Sequence, residues 1–306
     1  MNVETHPWPM RLLTLVALVA LAATAGAQRP LKVYISADME GITGVASAEQ
    51  LGPTGFEYNQ ARQWMTAEVI AAIQGAREAG AAEFVISDSH GNGQSLLIDR
   101  LPTDIPITVV RAFPRPLGMM EGIDSSFGAV IFVGYHASTS SLTGVRAHTM
   151  SSALLTRIAI NGTSMSEAGV NAAIAAQFGV PVVMITGDDV IVAESKQRFG
   201  PIEGVAVKHA IGFHGAATMV PEAAQALIRQ RAKVAVTRRA EMKPYVMTKP
   251  LSLEVSFKNY RPVELLGYLS NVQRIDSHTV RYAAKDMIDL SKFLEFVTNY
   301  DPTMTP

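Results

Sequence analysis

From residue 28 onward, the chain alternates short apolar, β-branched runs with longer amphipathic stretches, an order typical of a parallel sheet covered by helices. The pattern predicts strands over Leu31–Ser36, Glu83–Ser87, Ala129–Val133, Ile158–Ile160 and Val182–Thr186. It predicts helices over Tyr58–Ala79, Met165–Phe178, Val190–Arg198 and Pro221–Ala232. We therefore expect an α/β fold with a mostly parallel sheet flanked by helices.

The pattern changes near residue 250. Leu251–Phe257 alternates strictly between apolar and polar positions, which indicates a half-buried strand. A further strand over Thr279–Tyr282 and a last helix over Ile288–Thr298 follow it. These elements predict a smaller α+β C-terminal region, residues 250–306, after a main α/β domain of residues 28–249.

The first 27 residues read as a signal peptide. Leu12 to Ala27 is an uncharged run that ends in Ala25-Gly26-Ala27, the small-residue pattern of a cleavage site. The run is shorter than the roughly 20 residues of a membrane span, although a retained anchor is the alternative. We expect cleavage near Ala27, a periplasmic or secreted protein, and no stable membrane span after cleavage. Met1 and Met10 are both candidate starts, since no Lys or Arg precedes Met10.

Composition narrows the function classes. The chain has 306 residues and a formal net charge of -1, so it lacks the basic excess that nucleic-acid binding requires. It contains 0 cysteines, which excludes disulfides and thiolate ligands. Any metal must therefore be held by His and carboxylate side chains, a choice that suits a hydrolytic site better than a structural zinc site.

Acidic and imidazole side chains follow several predicted strands at their carboxyl ends, where ligands gather in parallel α/β sheets. Asp38 and Glu40 come after the first strand, His90 after the second and His136 after the third. Glu167 lies in the first turn of the helix that follows Ile158–Ile160.

Each of these signals has an ordinary structural explanation by itself. An acidic pair can lie in a solvated loop, a loop histidine can be a surface residue, and a Glu suits any first helical turn. Together, three carboxylates and two imidazoles at one sheet edge would crowd like charges unless a cation neutralised them. Five ligands exceed one tetrahedral zinc, so we predict two ions, about 3.5 to 4 Å apart, with Asp38 as the bridge. Two Zn²⁺ per chain are expected, with Mn²⁺ or Co²⁺ as alternatives.

Six segments in fixed order resemble the motifs of the DppA-type D-aminopeptidases, the M55 metallopeptidases. They are Asp38-Met39-Glu40-Gly41-Ile42-Thr43-Gly44, Asp88-Ser89-His90, Gly134-Tyr135-His136-Ala137, Gly144 to Met150, Glu167-Ala168-Gly169-Val170-Asn171 and Gly187-Asp188-Asp189. The resemblance implies a dinuclear zinc aminopeptidase for short peptides with N-terminal D-amino acids, assembled as a ring-like homo-oligomer, a decamer.

The resemblance also assigns roles to residues. It implies that Asp38, Glu40, His90, His136 and Glu167 are the metal ligands. It implies a catalytic role for His148, as a nucleophile or a proton-transferring group, while a surface loop histidine is the ordinary alternative.

A mechanism follows from such a site. A metal-bound hydroxide would attack the peptide carbonyl, and His148 would move a proton to the departing amine or stabilise the oxyanion. Asp88, Asp188 and Asp189 are candidates to orient the ligand imidazoles or to hold the substrate ammonium. Capping is their structural alternative, and it is the favoured role for Asp189, which opens a predicted helix.

Two other functions fit parts of the sequence. An exported solute-binding protein would also be α/β, but it would not need five hard metal ligands at one sheet edge. Another metal-dependent amide or ester hydrolase would use the same site with a different pocket. We predict an exported metallo-aminopeptidase whose catalytic, metal-binding domain is residues 28–249.

Overall fold

The computed structural model describes residues 1–4 and 30–300. Of the predicted signal peptide only the first four residues are described, so the predicted cleavage and export lie outside the described residues and stay predictions. Among the described helices, none combines the length and apolar character needed to cross a bilayer.

A seven-stranded sheet carries the candidate site. Its strands, in chain order, are β1 (Leu31–Ala37), β2 (Ala81–Asp88), β3 (Ile107–Val110), β4 (Phe127–Tyr135), β7 (Val182–Asp188), β8 (Glu203–Gly212) and β9 (Gly215–Thr218). They lie in the order β3-β2-β1-β4-β7-β8-β9. All neighbours are parallel except β8 and β9, which are antiparallel. The predicted mostly parallel sheet is confirmed.

A second sheet of five strands is antiparallel throughout. It consists of β5 (Leu155–Ile160), β6 (Thr163–Ser164), β10 (Leu251–Phe257), β11 (Val272–Arg274) and β12 (Thr279–Ala284). The order is β11-β12-β10-β5-β6. Placing Ile158–Ile160 in the parallel sheet was therefore wrong, because this short run pairs with β10 instead. The domain boundary at residue 250 stays a prediction, and the pairing of β5 with β10 crosses it.

Six α-helices complete the described fold: α1 (Tyr58–Glu78), α2 (Glu167–Gln177), α3 (Asp189–Phe199), α4 (Pro221–Thr237), α5 (Tyr260–Leu266) and α6 (Met287–Asn299). The first helix packs closely on α4, since a Cβ on Gly75 would lie 2.1 Å from the carbonyl oxygen of Arg229. The second helix, α2, is capped by Ser166, whose hydroxyl accepts a hydrogen bond from Gly169 N.

The core lies on the central strands of the first sheet. β1 and β4 are buried on both faces, so they read as continuous apolar runs: Val33, Tyr34 and Ile35 in β1 and Val130 to Val133 in β4 are fully buried. Burial fixes the register of these two strands. The register in turn sets the position of the residues that follow their carboxyl ends, which form the candidate site.

Candidate metal centre

The ends of β1 and β4 meet through backbone contacts that bring Asp38 and His136 together. Asp38 N donates to Val133 O at 2.8 Å, and Gly41 N donates to Gly134 O at 2.7 Å. Gly134 has φ +72, and a Cβ there would lie 2.2 Å from Asp38 O. A Cβ on Gly41 would lie 2.0 Å from Tyr135 O. Glycine is required at both positions, since any side chain would push the two loops apart.

Asp38, Glu40 and His90 form one buried triplet. The Nδ1 atom of His90 is 2.9 Å from Glu40 Oε2 and 3.3 Å from Asp38 Oδ1. The other ring nitrogen of His90, Nε2, lies 2.8 Å from the carbonyl oxygen of Leu51. Since a carbonyl can only accept, Nε2 carries the hydrogen, and Nδ1 of the neutral ring can present a lone pair to an ion.

His136, Glu167 and His148 form a second triplet. The Nε2 atom of His136 is 3.3 Å from Asp38 Oδ2 and 3.4 Å from Glu167 Oε2. Its Nδ1 atom lies 3.1 Å from the Ala137 carbonyl oxygen, so the neutral ring points its Nε2 lone pair into the site. Glu167 is held from the other side, because its Oε1 accepts a hydrogen bond of 2.7 Å from Met150 N.

Asp38 belongs to the first triplet and also contacts the second: its Oδ1 lies beside His90, and its Oδ2 lies beside His136. In each triplet, one potential ligand atom per residue lies within 4.8 Å of the others. Asp38 Oδ2 and His136 Nε2 are fully buried and make no hydrogen bond within residues 30–300. Buried polar atoms without a partner are costly, and a divalent cation would satisfy both. The residues present therefore fit a two-ion site.

The charges of the cluster support the same fit. Burial alone would lower the pKa of both His90 and His136, but the neighbouring carboxylates raise it well above its usual range. Burial and the adjacent Glu40 charge raise the pKa of Asp38. Burial opposes ionisation of Glu40 too, yet His90 holds its pKa well below the usual range. Without an ion the cluster retains protons on its imidazoles, and a cation that binds there displaces them.

His148 is held in a turn beside these ligands. Its backbone N donates to Ala137 O at 3.0 Å, and the flanking Arg146 and Met150 have positive φ angles of 52 and 64. The Nδ1 atom of His148 lies 2.8 Å from Arg146 O, which leaves Nε2 directed at Glu167 Oε1, 3.8 Å away. The side chain is 16% exposed, whereas that of His136 is 1% exposed, so His148 is the more accessible imidazole.

Two buried charged residues that the sequence did not single out hold the loop that carries Glu40. Lys208 on β8 donates through Nζ to the carbonyl oxygens of Glu40, Ile42 and Val45. Burial lowers its pKa to about 8. Glu68 on α1 accepts a hydrogen bond of 2.9 Å from Thr43 N, and burial raises the pKa of Glu68 to about 7. A Lys in a strand and a Glu in a helix look like surface residues, so only the tertiary structure reveals them.

The three aspartates proposed as imidazole partners or ammonium sites accept hydrogen bonds from backbone N–H groups instead. Asp88 Oδ2 accepts from Leu96 N at 2.8 Å. Asp188 caps α3 and accepts from Val145 N at 2.7 Å through Oδ2. Asp189 was expected to be the cap, but it is the first residue of the helix and accepts from Ala210 N. Backbone carbonyls orient the imidazoles in place of these aspartates.

A cavity of about 230 Å³ opens above the metal centre. Both triplets line it, and Phe113, Met119 and Met150 contribute apolar surface. Glu295, Thr298 and Asn299, near the end of α6, complete its wall. The cavity is large enough for a small substrate rather than a folded chain. The sequence pattern did not predict Glu295 as a site residue, because it lies far along the chain in a helix with an amphipathic pattern.

Comparison with known proteins agrees with this geometry. The family model described as D-aminopeptidase, Peptidase_M55, matches residues 31–296. The D-aminopeptidase of Bacillus subtilis (strain 168) is 29% identical over 260 residues, which cover 85% of this chain and 93% of that protein. A solved structure is described as the Zn-dependent D-aminopeptidase DppA from Bacillus subtilis, a self-compartmentalizing protease. It superposes with a TM-score of 0.83 at 28% identity, covering 88% of this chain and 97% of that one.

The fold and these matches define a metallopeptidase of the aminopeptidase class. The chain belongs to the M55 family of D-aminopeptidases.

Proposed function

We propose that this protein hydrolyses short peptides or amides that carry an N-terminal D-amino acid, with two zinc ions held by Asp38, Glu40, His90, His136 and Glu167. One observation carries the proposal. The two carboxylate oxygens of Asp38 lie 3.3 Å from His90 Nδ1 and 3.3 Å from His136 Nε2, on opposite sides of one buried group. A single carboxylate placed between two imidazoles in this way can bridge two ions.

Asp38, Glu40 and His90 would hold one ion, and Asp38, His136 and Glu167 the other. Bound zinc would lower the pKa of a coordinated water and polarise the scissile carbonyl. The carbonyl oxygens of Leu51 and Ala137 fix which nitrogen of His90 and His136 faces the ions. Orientation of this kind keeps both rings in the tautomer that the site needs.

His148 transfers a proton during the proposed hydrolysis. Its Nδ1 is held by Arg146 O, and its Nε2 lies at the cavity surface beside Glu167. From there Nε2 can donate a proton to the departing amine, with Glu167 Oε1 3.8 Å away. We favour this proton transfer over direct nucleophilic attack, because His148 lies against Glu167 rather than alone in the cavity.

The relatives suggest the substrate and the assembly. The curated relative and the solved structure are both named D-aminopeptidase, and the solved structure is described as self-compartmentalizing. We propose the same preference for D-residues here and a ring-like homo-oligomer. Cleavage near Ala27 would place this assembly in the periplasm or outside the cell.

A panel of D- and L-aminoacyl amides and dipeptides, assayed with added zinc, tests the function. We expect hydrolysis of the D-aminoacyl members and about two zinc ions per chain by elemental analysis. His136→Ala and Glu167→Ala are expected to lose at least about 100-fold in kcat/KM. His209→Ala, which changes an exposed histidine, is the matched control and should keep full activity.

Three outcomes would contradict the proposal. Full activity of His136→Ala and Glu167→Ala would show that the site is wrongly assigned. Absence of bound zinc after metal-replete expression would favour a binding protein. Hydrolysis of esters or other amides, without any aminoacyl substrate, would identify a different hydrolase on this site.

A further inference from the structure

Part of the wall of the cavity that the metal ligands line belongs to the last turns of α6. Glu295, Thr298 and Asn299 line it together with the two triplets. All the other acidic side chains that line this cavity are proposed ligands, so Glu295 is the one carboxylate there without a metal to bind.

The carboxylate of Glu295 is held in a defined position. Asn299 Nδ2 donates to Glu295 Oε2 at 3.1 Å, one helical turn further on. On the other side Gly118, with φ +55, makes room for the group, because a Cβ there would lie 2.5 Å from Glu295 Oε1. Burial raises the pKa of Glu295 to about 7. Burial thus disfavours the ionised carboxylate, and a cation bound beside it would favour the ionised form.

The end of α6 adds to the negative potential. The helix ends at Asn299, and the C-terminal end of a helix carries a partial negative charge that favours cations within its last turn. Glu295 lies one turn before that end, so the partial charge of the helix end and the carboxylate have the same sign.

Arg115 is a basic residue whose charge and backbone both act on Glu295, but its guanidinium makes its hydrogen bonds to other groups. The guanidinium of Arg115 donates to the carbonyl oxygens of Val110 and Asp88 and lies 3.7 Å from the Phe113 ring centroid. Within residues 30–300, Glu295 makes no ion pair shorter than 4.0 Å with a basic side chain. No direct ion pair within the described residues occupies the Glu295 carboxylate, so it can contact a ligand in the cavity.

We propose that Glu295 and the C-terminal end of α6 bind the free ammonium group of the substrate, and so select peptides with an unblocked N-terminus. This inference rests on the proposed aminopeptidase function. Two zinc ions in the same cavity would repel an ammonium group, and an anionic side chain elsewhere in the cavity lining would offset that repulsion. Glu295 thus determines specificity and takes no part in the bond-breaking step.

Two hydroxamates that differ only in the amine provide the test. D-alanine hydroxamate has the ammonium group and propionohydroxamate lacks it, while both present the same zinc-binding group. We expect wild-type protein to bind D-alanine hydroxamate more tightly and Glu295→Gln to abolish the difference, with a loss of about 10- to 100-fold for the amine-bearing compound alone. Inhibition constants are measured against D-alanyl p-nitroanilide.

Turnover separates this role from a structural one. Glu295→Gln should raise KM for D-alanyl p-nitroanilide by about 10- to 100-fold while kcat changes less than about threefold. Glu295→Asp should recover part of the loss, since it restores the charge. Glu264→Gln, an exposed neutralisation on α5, is the matched control and should behave like wild type. Bound zinc and the unfolding temperature are measured for every variant.

These experiments decide whether Glu295 binds the substrate ammonium. Equal losses for the two hydroxamates, a fall in kcat with unchanged KM, or no effect of Glu295→Gln would overturn the inference while leaving the proposed function intact. Wild-type protein that hydrolyses no aminoacyl substrate would overturn the proposed function and this inference with it.

Discussion

The imidazole rings of His136 and His148 lie parallel, with centroids 4.1 Å apart and planes inclined by 10°. Each ring has its Nδ1 beside a backbone carbonyl oxygen, and each presents Nε2 to a different oxygen of Glu167. The stack therefore places one buried imidazole and one accessible imidazole on the same carboxylate. This arrangement suits a division of work in which His136 binds an ion and His148 moves a proton.

Replacing His148 tests that division. We expect His148→Gln to keep about two zinc ions per chain and to lose about 100- to 10,000-fold in kcat, the usual contribution of a general acid or base. The measurements are elemental analysis of purified protein and steady-state kinetics on a D-aminoacyl amide. A fall to one zinc per chain would show instead that His148 is a ligand.

Asp38 is predicted to be shared by both ions, so its loss should empty both positions. We expect Asp38→Asn to bind less than one zinc per chain, whereas Glu40→Gln should mainly weaken one position. Titration with zinc, followed by calorimetry, measures the two positions separately. Equal loss of a single ion in the two variants would contradict the bridging role.

Gly134 is expected to control the position of Asp38. Because a Cβ there would lie 2.2 Å from Asp38 O and φ is +72, Gly134→Ala cannot be accommodated without moving the loop. We expect a loss of about 2 to 4 kcal/mol in the free energy of unfolding, with weaker zinc binding. Gly80→Ala is the control, since Gly80 also has a positive φ, +93, but has no atom within 4 Å of a Cβ. Gly80→Ala should reduce stability less and leave zinc binding unchanged.

Glu68 should make stability depend on pH. Burial raises its pKa from 4.5 to about 7 in the folded protein, so its contribution to stability is complete below pH 4.5 and is lost as pH rises through 7. A shift of that size corresponds to about 3 kcal/mol. Glu68→Gln, which keeps an oxygen for Thr43 N, should therefore be more stable than wild type above pH 7, and the difference should shrink toward pH 5.

Chemical unfolding of both proteins between pH 5 and pH 8 measures this difference. Working with the difference between two proteins cancels the titration of the metal ligands, which is common to both. Glu78→Gln replaces a surface glutamate that pairs with Arg229 and Lys233, and serves as the control. A stability difference that is constant across this range would contradict the assignment.

Much of the fold could be predicted because β1 and β4 are buried on both faces and helices separate the strands. The pattern could not show how β5 pairs, since a short apolar run fits a parallel or an antiparallel neighbour equally well. Its partner β10 lies about a hundred residues away, and only the strict alternation of Leu251–Phe257 indicated a sheet with one covered face. The second sheet then positions α2, and with it Glu167.

The candidate site was predictable where it follows strand ends, and less so elsewhere. Asp38, His90 and His136 leave neighbouring strands, so topology alone brings them together. Lys208 and Glu295 carry no comparable signal. Lys208 takes part in the site because it is buried, and Glu295 because it lies near the end of α6. Both are properties of the folded chain.

The central claim is that two ions share Asp38 at the edge of the parallel sheet. Diffraction from crystals of the zinc-bound protein, measured at the zinc absorption edge, tests it most directly. The account predicts two anomalous peaks about 3.5 to 4 Å apart, one beside Glu40 and His90 and the other beside His136 and Glu167, with Asp38 between them. A single peak, or two peaks that do not both contact Asp38, would contradict it.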